Sequence, residues 1–495
     1  MKKIFASLRH RPLMLIVAIL LQSYQPPAKD TAPVTQPNII IIFCDDLGYG
    51  DIGRFGASMY TTPNLDRLAS EGMTFTQFYA AEAVCSASRA ALLTGCYPNR
   101  IGIFNALNPA AKNGLSKEEK TIAEIVKEKN YRTAAFGKWH VGWQKQFLPL
   151  QHGFDEYLGL PYSNDMWPVD YDGKPITDSS NSRINYPSLP LISGNEKIKT
   201  IATLEDQSTL TTLYTEKAVD FITRNKTKPF FLYLAHSMPH VPIAASAKFK
   251  GKSQQGLYGD VIMEIDWSVG EIMKTLKQYQ LDKNTLVVFT SDNGPWLNYG
   301  NHSGSTGGLR EGKGSSWEGG QKEPCIMRWP GTIPAGTVCN KLASTIDLLP
   351  TIAAITQGRL PAHKIDGVNI IALMKGEPAA EPRKSFLYYY GNNQLEAVRK
   401  DQWKLILPHR GRTYEGFAPG KDGYPGKTTE TRQYELALYD LRRDPGERYD
   451  VKDSYPDIVA ALQQLAEEAR EDLGDAITSR KGKWVRDCGW EQAPK

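Results

Sequence analysis

The stretch that decides the fold is Asn38-Ile39-Ile40-Ile41-Ile42-Phe43-Cys44-Asp45-Asp46, a run of apolar residues that ends in two carboxylates. Neither alternate position of the run is polar, so it predicts a central strand that is buried on both faces. Similar short strands are predicted at 131–136, 230–234 and 285–290, with helical patterns between them. This alternation predicts an α/β fold in which a large, mostly parallel sheet is sandwiched by helices.

The chain has 495 residues, a length that favours more than one domain. From about residue 380 the alternating pattern gives way to short strands at meander spacing, followed by a helix near 456–472. We therefore predict a large catalytic domain over residues 38–380. A smaller C-terminal α+β domain, built on a short antiparallel sheet, is expected over residues 381–495.

The N-terminus carries four basic residues ahead of an apolar run at 13–21. This pattern is typical of a secretory signal peptide, and the run is too short for a bilayer, which takes about 20 residues. A buried N-terminal helix is the alternative. We predict a signal peptide at 1–25, a linker at 26–37, and an exported protein, periplasmic or secreted, without a stable membrane anchor.

Charge and cysteine usage exclude several classes of protein. The net charge is +5, and no run of five or more Lys or Arg occurs, so a nucleic-acid partner is not expected. The six cysteines include no CxxC pair. This excludes a zinc ribbon or thioredoxin-type site, and the cysteines are too sparse for a disulfide scaffold.

Oxygen donors follow two of the predicted strands. Asp45 and Asp46 end the first, and Asp292 and Asn293 follow the strand at 285–290. Ligands bind beyond the carboxyl ends of strands in such sheets, and this set of hard donors suits Ca²⁺ or Mg²⁺ rather than zinc. For either pair alone, an ordinary turn after a strand is an equal alternative.

The segment Cys85-Ser86-Ala87-Ser88-Arg89-Ala90-Ala91-Leu92-Leu93-Thr94-Gly95 carries the most specific signal. A lone CxAxR pattern would indicate only a buried cysteine at a helix start, with the arginine on a solvated face. Here the match continues through the helix. The segment resembles the modification signature of the formylglycine-dependent, type I sulfatases of the alkaline-phosphatase-like superfamily, in which the cysteine is oxidised to an aldehyde.

Further motifs carry the same resemblance, in the family's order. Besides residues 38–46 they are Thr62-Pro63-Asn64-Leu65-Asp66-Arg67-Leu68, Gly137-Lys138-Trp139-His140, Pro239-His240-Val241-Pro242, Leu309-Arg310-Glu311-Gly312-Lys313 with Trp317-Glu318-Gly319-Gly320, and Leu438-Tyr439-Asp440-Leu441 with Asp444-Pro445-Gly446-Glu447. The second signature usually opens with Gly-Tyr, whereas Asn130-Tyr131 stands here. Asn also tolerates a left-handed backbone, so we do not interpret this departure as loss of function.

The resemblance implies a sulfuric ester hydrolase whose nucleophile is formylglycine, made from Cys85 by a maturase. It also implies one Ca²⁺ held by Asp45, Asp46, Asp292, Asn293 and the modified Cys85. The hydrated aldehyde would attack sulfur and later expel sulfate.

Roles for the remaining residues follow from the same resemblance. Arg89, Lys138 and Lys313 would balance charge on the sulfuryl oxygens. His240 or Lys313 would protonate the leaving alcohol, and His140 would act as the base that helps to expel sulfate.

The substrate is expected to be a sulfated carbohydrate. Residues 253–260 and 153–156 resemble N-acetylgalactosamine-6-sulfatases and arylsulfatases, which implies exo action on 6-O-sulfated galactose or N-acetylgalactosamine of glycans such as glycosaminoglycans. The alternatives are a general arylsulfatase, a phosphodiester or phosphonate hydrolase with the same nucleophile, and a non-catalytic sulfated-glycan-binding protein. Contact of Trp167 or His302 with sugar, and a direct role for His236, stay open.

Overall fold

The computed structural model describes residues 36–491 of the chain. The predicted signal peptide at 1–25 and all but the end of the predicted linker lie outside the described residues. Between residues 36 and 491, no helix combines the length and the apolar character needed to cross a membrane.

Strands and helices alternate through the first two thirds of the described chain. The strands are β1 (Asn38–Cys44), β2 (Met73–Tyr79), β3 (Asn113–Gly114), β4 (Arg132–Gly137), β5 (Glu156–Gly159), β6 (Leu189–Ser193), β7 (Glu196–Ile201), β8 (Phe230–Ala235), β9 (Thr285–Ser291), β10 (Lys322–Arg328), β11 (Thr337–Cys339), β12 (Ala343–Ser344), β13 (Ser385–Tyr390), β14 (Gln394–Lys400), β15 (Trp403–Ile406), β16 (His409–Thr413), β17 (Thr429–Tyr434), β18 (Ala437–Asp440), β19 (Gly474–Asp475), β20 (Arg480–Lys481) and β21 (Gly489–Trp490). The α-helices are α1 (Pro63–Ser70), α2 (Cys85–Thr94), α3 (Ile122–Lys127), α4 (Leu204–Ser208), α5 (Leu210–Arg224), α6 (Leu257–Gln278), α7 (Glu318–Gln321), α8 (Leu348–Thr356), α9 (Ile371–Met374) and α10 (Pro456–Leu473).

The large sheet is mixed but mostly parallel, which confirms the predicted fold class. Its strand order is β11-β2-β10-β9-β1-β8-β4-β5-β6-β7, and β12 also pairs with β2. The strands from β9 to β5 are parallel, whereas β10 runs antiparallel to both β9 and β2, and β6 and β7 form an antiparallel edge. The parallel centre brings several carboxyl ends of strands to one edge.

Strand β1 is buried along its whole length because helices cover both faces of the sheet. Ile39, Ile41 and Phe43 pack in one hydrophobic cluster with side chains of α2, α3 and α8. Ile40 and Ile42 face the other way, into a cluster with side chains of α1, α5 and α6. The unbroken apolar run is therefore required by burial on two sides, as predicted.

The C-terminal part forms a smaller α+β unit on the antiparallel sheet β13-β14-β15-β18, as expected. Helix α10 packs its buried residues, among them Leu462 and Leu473, against this sheet.

Two features differ from the sequence expectation. Residues 160–200 are rich in Pro, Ser and Asn and have little periodicity, which predicts a long irregular stretch, but they contain β6 and most of β7. The outward residues of β7 are polar because it is an exposed edge strand, which hides its pattern. Strand β2 also escaped prediction, since Thr74, Thr76 and Gln77 interrupt its apolar residues.

Candidate active site

The two acidic strand ends lie side by side at the carboxyl edge of the large sheet. Cys44 of β1 is in register with Ser291 of β9, so the residues that follow them are neighbours. The Asn293 side-chain amide donates to Asp46 Oδ1 at 2.7 Å, and the Asp46 backbone N–H donates to Asp292 Oδ1 at 3.1 Å. Asp46 has a positive φ of 62°, a conformation that aspartate adopts more readily than most residues.

Helix α2 places Cys85 and Arg89 at this edge. Cys85 is the first residue of the helix, and Arg89 follows one turn later on the same face. The Arg89 guanidinium donates to Asp292 Oδ2 at 2.7 Å and to the Lys138 carbonyl at 3.1 Å. Its side chain is fully buried, so the solvated-face alternative for this arginine is wrong.

Lys138 reaches the site from the end of β4. Its ammonium lies 2.6 Å from Asp45 Oδ2 and donates to Ser163 Oγ at 3.1 Å. Ser163 was not among the sequence-predicted residues. It lies in the irregular stretch after β5, where neither a motif nor a periodic pattern marks it.

Lys313 and His240 approach Asp46 from two different loops. The Lys313 ammonium is 2.8 Å from Asp46 Oδ1 and lies 4.5 Å from the centre of the Trp296 ring. His240 Nε2 is 3.7 Å from Asp46 Oδ2, and the imidazole packs on the same indole at a centroid distance of 5.6 Å.

His140 hydrogen-bonds to a backbone carbonyl and not to another predicted site residue. Its Nε2 is 2.9 Å from the Leu107 carbonyl, whereas its Nδ1 is buried without a hydrogen-bond partner. Because the carbonyl only accepts, Nε2 carries the proton and Nδ1 presents a lone pair. Burial, followed by the charges of Lys138 and Arg89, holds the pKa of His140 well below its usual value.

The charges of the site act strongly on one another. Burial alone would raise the pKa of Asp45, but Lys138, His240 and Arg89 hold it far below the ordinary value. Burial and then the charge of Asp45 raise the pKa of Asp292 to about 7. Burial likewise raises the pKa of the Cys85 thiol, so the unmodified side chain is a poor nucleophile at neutral pH.

The donor set fits a hard divalent cation. Asp45 Oδ1 and Asn293 Oδ1 are buried and have no hydrogen-bond partner, so each has lone pairs to offer a ligand. Ligand atoms of Asp45, Asp46 and His240 also lie within 4.8 Å of one another. Carboxylate and amide oxygens are the donors that Ca²⁺ and Mg²⁺ prefer.

Three residues left open by the sequence are now placed. Trp167 is fully buried in the core, so it offers no platform for a sugar. His236 is buried and pairs through Nε2 with Ser268 of α6. His302 lies partly exposed at the end of a short 3₁₀ helix, Leu297–His302.

Comparison with known proteins gives the family. A family model described as Sulfatase matches residues 37–358, and one described as the C-terminal region of aryl-sulfatase matches residues 381–495. A third, described as N-sulphoglucosamine sulphohydrolase, C-terminal, matches residues 313–415.

Relatives and solved structures agree with these models. N-acetylgalactosamine-6-sulfatase of Mus musculus is 38% identical over 88% of this chain and 86% of its own length. Arylsulfatase A of Bos taurus is 37% identical over 88% of each chain. The crystal structure of Ps i-CgsB in complex with k-i-k-neocarrahexaose is 30% identical, with a TM-score of 0.70 over 88% of this chain and 92% of that one. The chain therefore belongs to the sulfatase family and is a sulfuric ester hydrolase.

Proposed function

We propose that this sulfatase acts on sulfated glycans, removing sulfate as an exo-enzyme from 6-O-sulfated galactose or N-acetylgalactosamine. Its nucleophile is formylglycine, produced from Cys85 by a maturase, and its metal is one Ca²⁺. The observation that carries the proposal is the position of Cys85 at the start of α2, one turn before Arg89, whose buried guanidinium pairs with Asp292 at the acidic edge.

The substrate class rests on the relatives together with the site. N-acetylgalactosamine-6-sulfatase and arylsulfatase A each align with most of this chain, and a structural neighbour was solved with a bound neocarrahexaose. A sulfated sugar agrees with the sugars named in the first relative and in the structural neighbour. Its anionic sulfate group also suits a site with several buried cations.

Formylglycine and Ca²⁺ would supply chemistry that the side chains of the twenty amino acids lack. Formylglycine, once hydrated, would supply two hydroxyls on one carbon: one to attack sulfur, and one whose loss of a proton would re-form the aldehyde and release sulfate. A bound Ca²⁺ would supply positive charge to balance the sulfuryl oxygens. Asp45, Asp46, Asp292 and Asn293 would hold it.

The chain's own cations hold the sulfuryl group. Arg89, Lys138 and Lys313 are buried, and each is fixed by a carboxylate partner, so their charges are oriented before substrate arrives. Preorganised charge of this kind favours the transition state because no reorganisation is needed during the reaction.

Two proton transfers complete the proposal. His240 or Lys313, which meet at Asp46, donates a proton to the leaving alcohol. His140 accepts a proton at Nδ1 when sulfate is expelled, since its other nitrogen is occupied by the Leu107 carbonyl.

The proposal is tested by assaying protein made with a maturase against 6-sulfated N-acetylgalactosamine, an aryl sulfate and a phosphodiester. We expect sulfate ester hydrolysis to exceed phosphodiester hydrolysis, and Cys85→Ala to lose at least about 10⁴-fold in kcat, as for a removed nucleophile. EGTA should abolish the activity and Ca²⁺ restore it better than Mg²⁺. Faster phosphodiester hydrolysis, or activity that survives in Cys85→Ala, would refute it.

A further inference from the structure

An aromatic wall leads from the candidate active site to the surface. Trp296, which contacts His240 and Lys313, packs on Tyr299 at a centroid distance of 4.9 Å. Tyr299 packs on Tyr171 at 5.2 Å, and their hydroxyls are 2.6 Å apart. The wall continues to Tyr424, whose ring is 6.2 Å from that of Tyr171 and which is 41% exposed.

The segment 163–165 contacts Lys138 and the loop that carries His240. Ser163 accepts a hydrogen bond from Lys138, and the next residue, Asn164, donates to the backbone carbonyls of His240 and Pro242 at 3.2 and 3.1 Å. These contacts hold the following residue, Asp165, beside the loop that carries His240.

Asp165 has an unused acceptor at this position. Its residue is partly exposed, but its Oδ1 is buried and has no hydrogen-bond partner. No cation forms an ion pair with it among the described residues. Burial is the largest influence on the pKa values of His240, Tyr171 and Tyr299, and the negative charge of Asp165 acts to raise all three. The carboxylate is therefore near both His240 and the tyrosines of the aromatic wall. A buried acceptor without a hydrogen-bond donor destabilises the protein, so we expect a bound substrate to place a donor beside Asp165 Oδ1.

We propose that Asp165 and Trp296 form the specificity subsite for the sugar ring that carries the scissile sulfate. Trp296 packs against the apolar face of the ring, and Asp165 accepts a hydrogen bond from a free hydroxyl of the same ring. This inference rests on the proposed action on sulfated sugars.

The subsite selects against additional negative charge. A hydroxyl can donate to Asp165, but a second sulfate only accepts and would face the carboxylate with like charge. The enzyme should thus prefer a monosulfated sugar over the same sugar with a second sulfate at the hydroxyl that Asp165 binds. An aryl sulfate has no hydroxyl to offer and gains nothing from Asp165.

The test compares kcat/KM for 6-sulfated N-acetylgalactosamine, its 4,6- and 3,6-disulfated forms, and 4-nitrophenyl sulfate in wild type and Asp165→Asn. The ratio of sugar sulfate to aryl sulfate should fall by about 10- to 100-fold in the variant, as for a lost charged hydrogen bond. The ratio of kcat/KM for the monosulfated sugar to kcat/KM for at least one disulfated form should also become smaller in the variant. Trp296→Leu should lower the first ratio independently, through a higher KM for the sugar.

The matched control is Asp178→Asn. Asp178 is an exposed aspartate in the same irregular stretch, and its side chain accepts a hydrogen bond from the Ser180 backbone N–H. It should leave both ratios unchanged. An equal loss on sugar and aryl sulfate in Asp165→Asn, or an unchanged ratio, would overturn the subsite. A wild type that cleaves no sugar sulfate would instead refute the proposed function.

Discussion

At the scale of single residues, the neighbours of a side chain decide which chemistry it performs. His140 shows this, because the Leu107 carbonyl fixes its tautomer and leaves Nδ1 as the basic nitrogen. We predict that His140→Ala lowers kcat by about 10²- to 10⁴-fold, the usual contribution of a general base, with little change in KM. Steady-state kinetics measures this, with His363→Ala as the control, since His363 is partly exposed and pairs with Glu119. A kcat within twofold of wild type would contradict the role.

His152 gives a prediction about pH and stability at the same scale. It is buried against Trp139 without a partner for either ring nitrogen, and burial lowers its pKa to about 4. Its unfolded pKa is about 6.5, so the folded state holds it neutral. Its contribution to stability is present above pH 6.5 and is lost as the pH falls towards 4, by about 2 kcal/mol at pH 5.

Replacing His152 by Phe should therefore flatten the dependence of Tm on pH between 7 and 5. Thermal unfolding of both proteins at several pH values measures the difference. Identical slopes for variant and wild type would contradict the assignment of this linkage to His152.

At the scale of elements, β1 is defined by burial on two faces. Ile40 and Ile41 point into different clusters, so Ile40→Ala and Ile41→Ala should each destabilise the fold by about 2 to 5 kcal/mol. Ile198→Ala on the edge strand β7 is the control, because Ile198 is 56% exposed and should change stability by less than about 0.5 kcal/mol. Denaturant unfolding measures all three, and a large effect for only one of the two β1 variants would contradict the two-sided core.

The elements differ in how well the sequence predicted them. The central strands and their polar ends were predictable because their signals are contiguous, as in the run that ends at Asp46. Ser163 and Asp165 were not, since they lie in an irregular stretch that is placed only by the contacts of Ser163 and Asn164 with residues far away in the chain. The edge strand β7 was missed because most of its residues are exposed and polar, so it lacks the apolar pattern of a buried strand.

At the scale of the whole molecule, a buried ion network joins the large sheet to the C-terminal sheet. Lys404 of β15 lies 3.2 Å from Glu318 at the start of α7 and 2.7 Å from Glu447, and all three side chains are fully buried. Lys404→Met removes the cation that both carboxylates share and leaves Glu318 with the more distant Lys322 at 4.0 Å, so we expect a loss of about 3 to 5 kcal/mol. The exposed pair Lys145 and Glu196 supplies the control, since Lys145→Met should cost under about 1 kcal/mol. Calorimetry measures both, and equal Tm values would show that the network does not hold the two sheets together.

The central claim is that Cys85 becomes the nucleophile, and mass spectrometry of the tryptic peptide spanning residues 68–89 tests it most directly. The protein must come from a host with a maturase. The account predicts a mass about 18 Da below that of the cysteine peptide, the change for replacing the thiol carbon by an aldehyde. An unmodified thiol in protein that hydrolyses sulfate esters at full rate would contradict it.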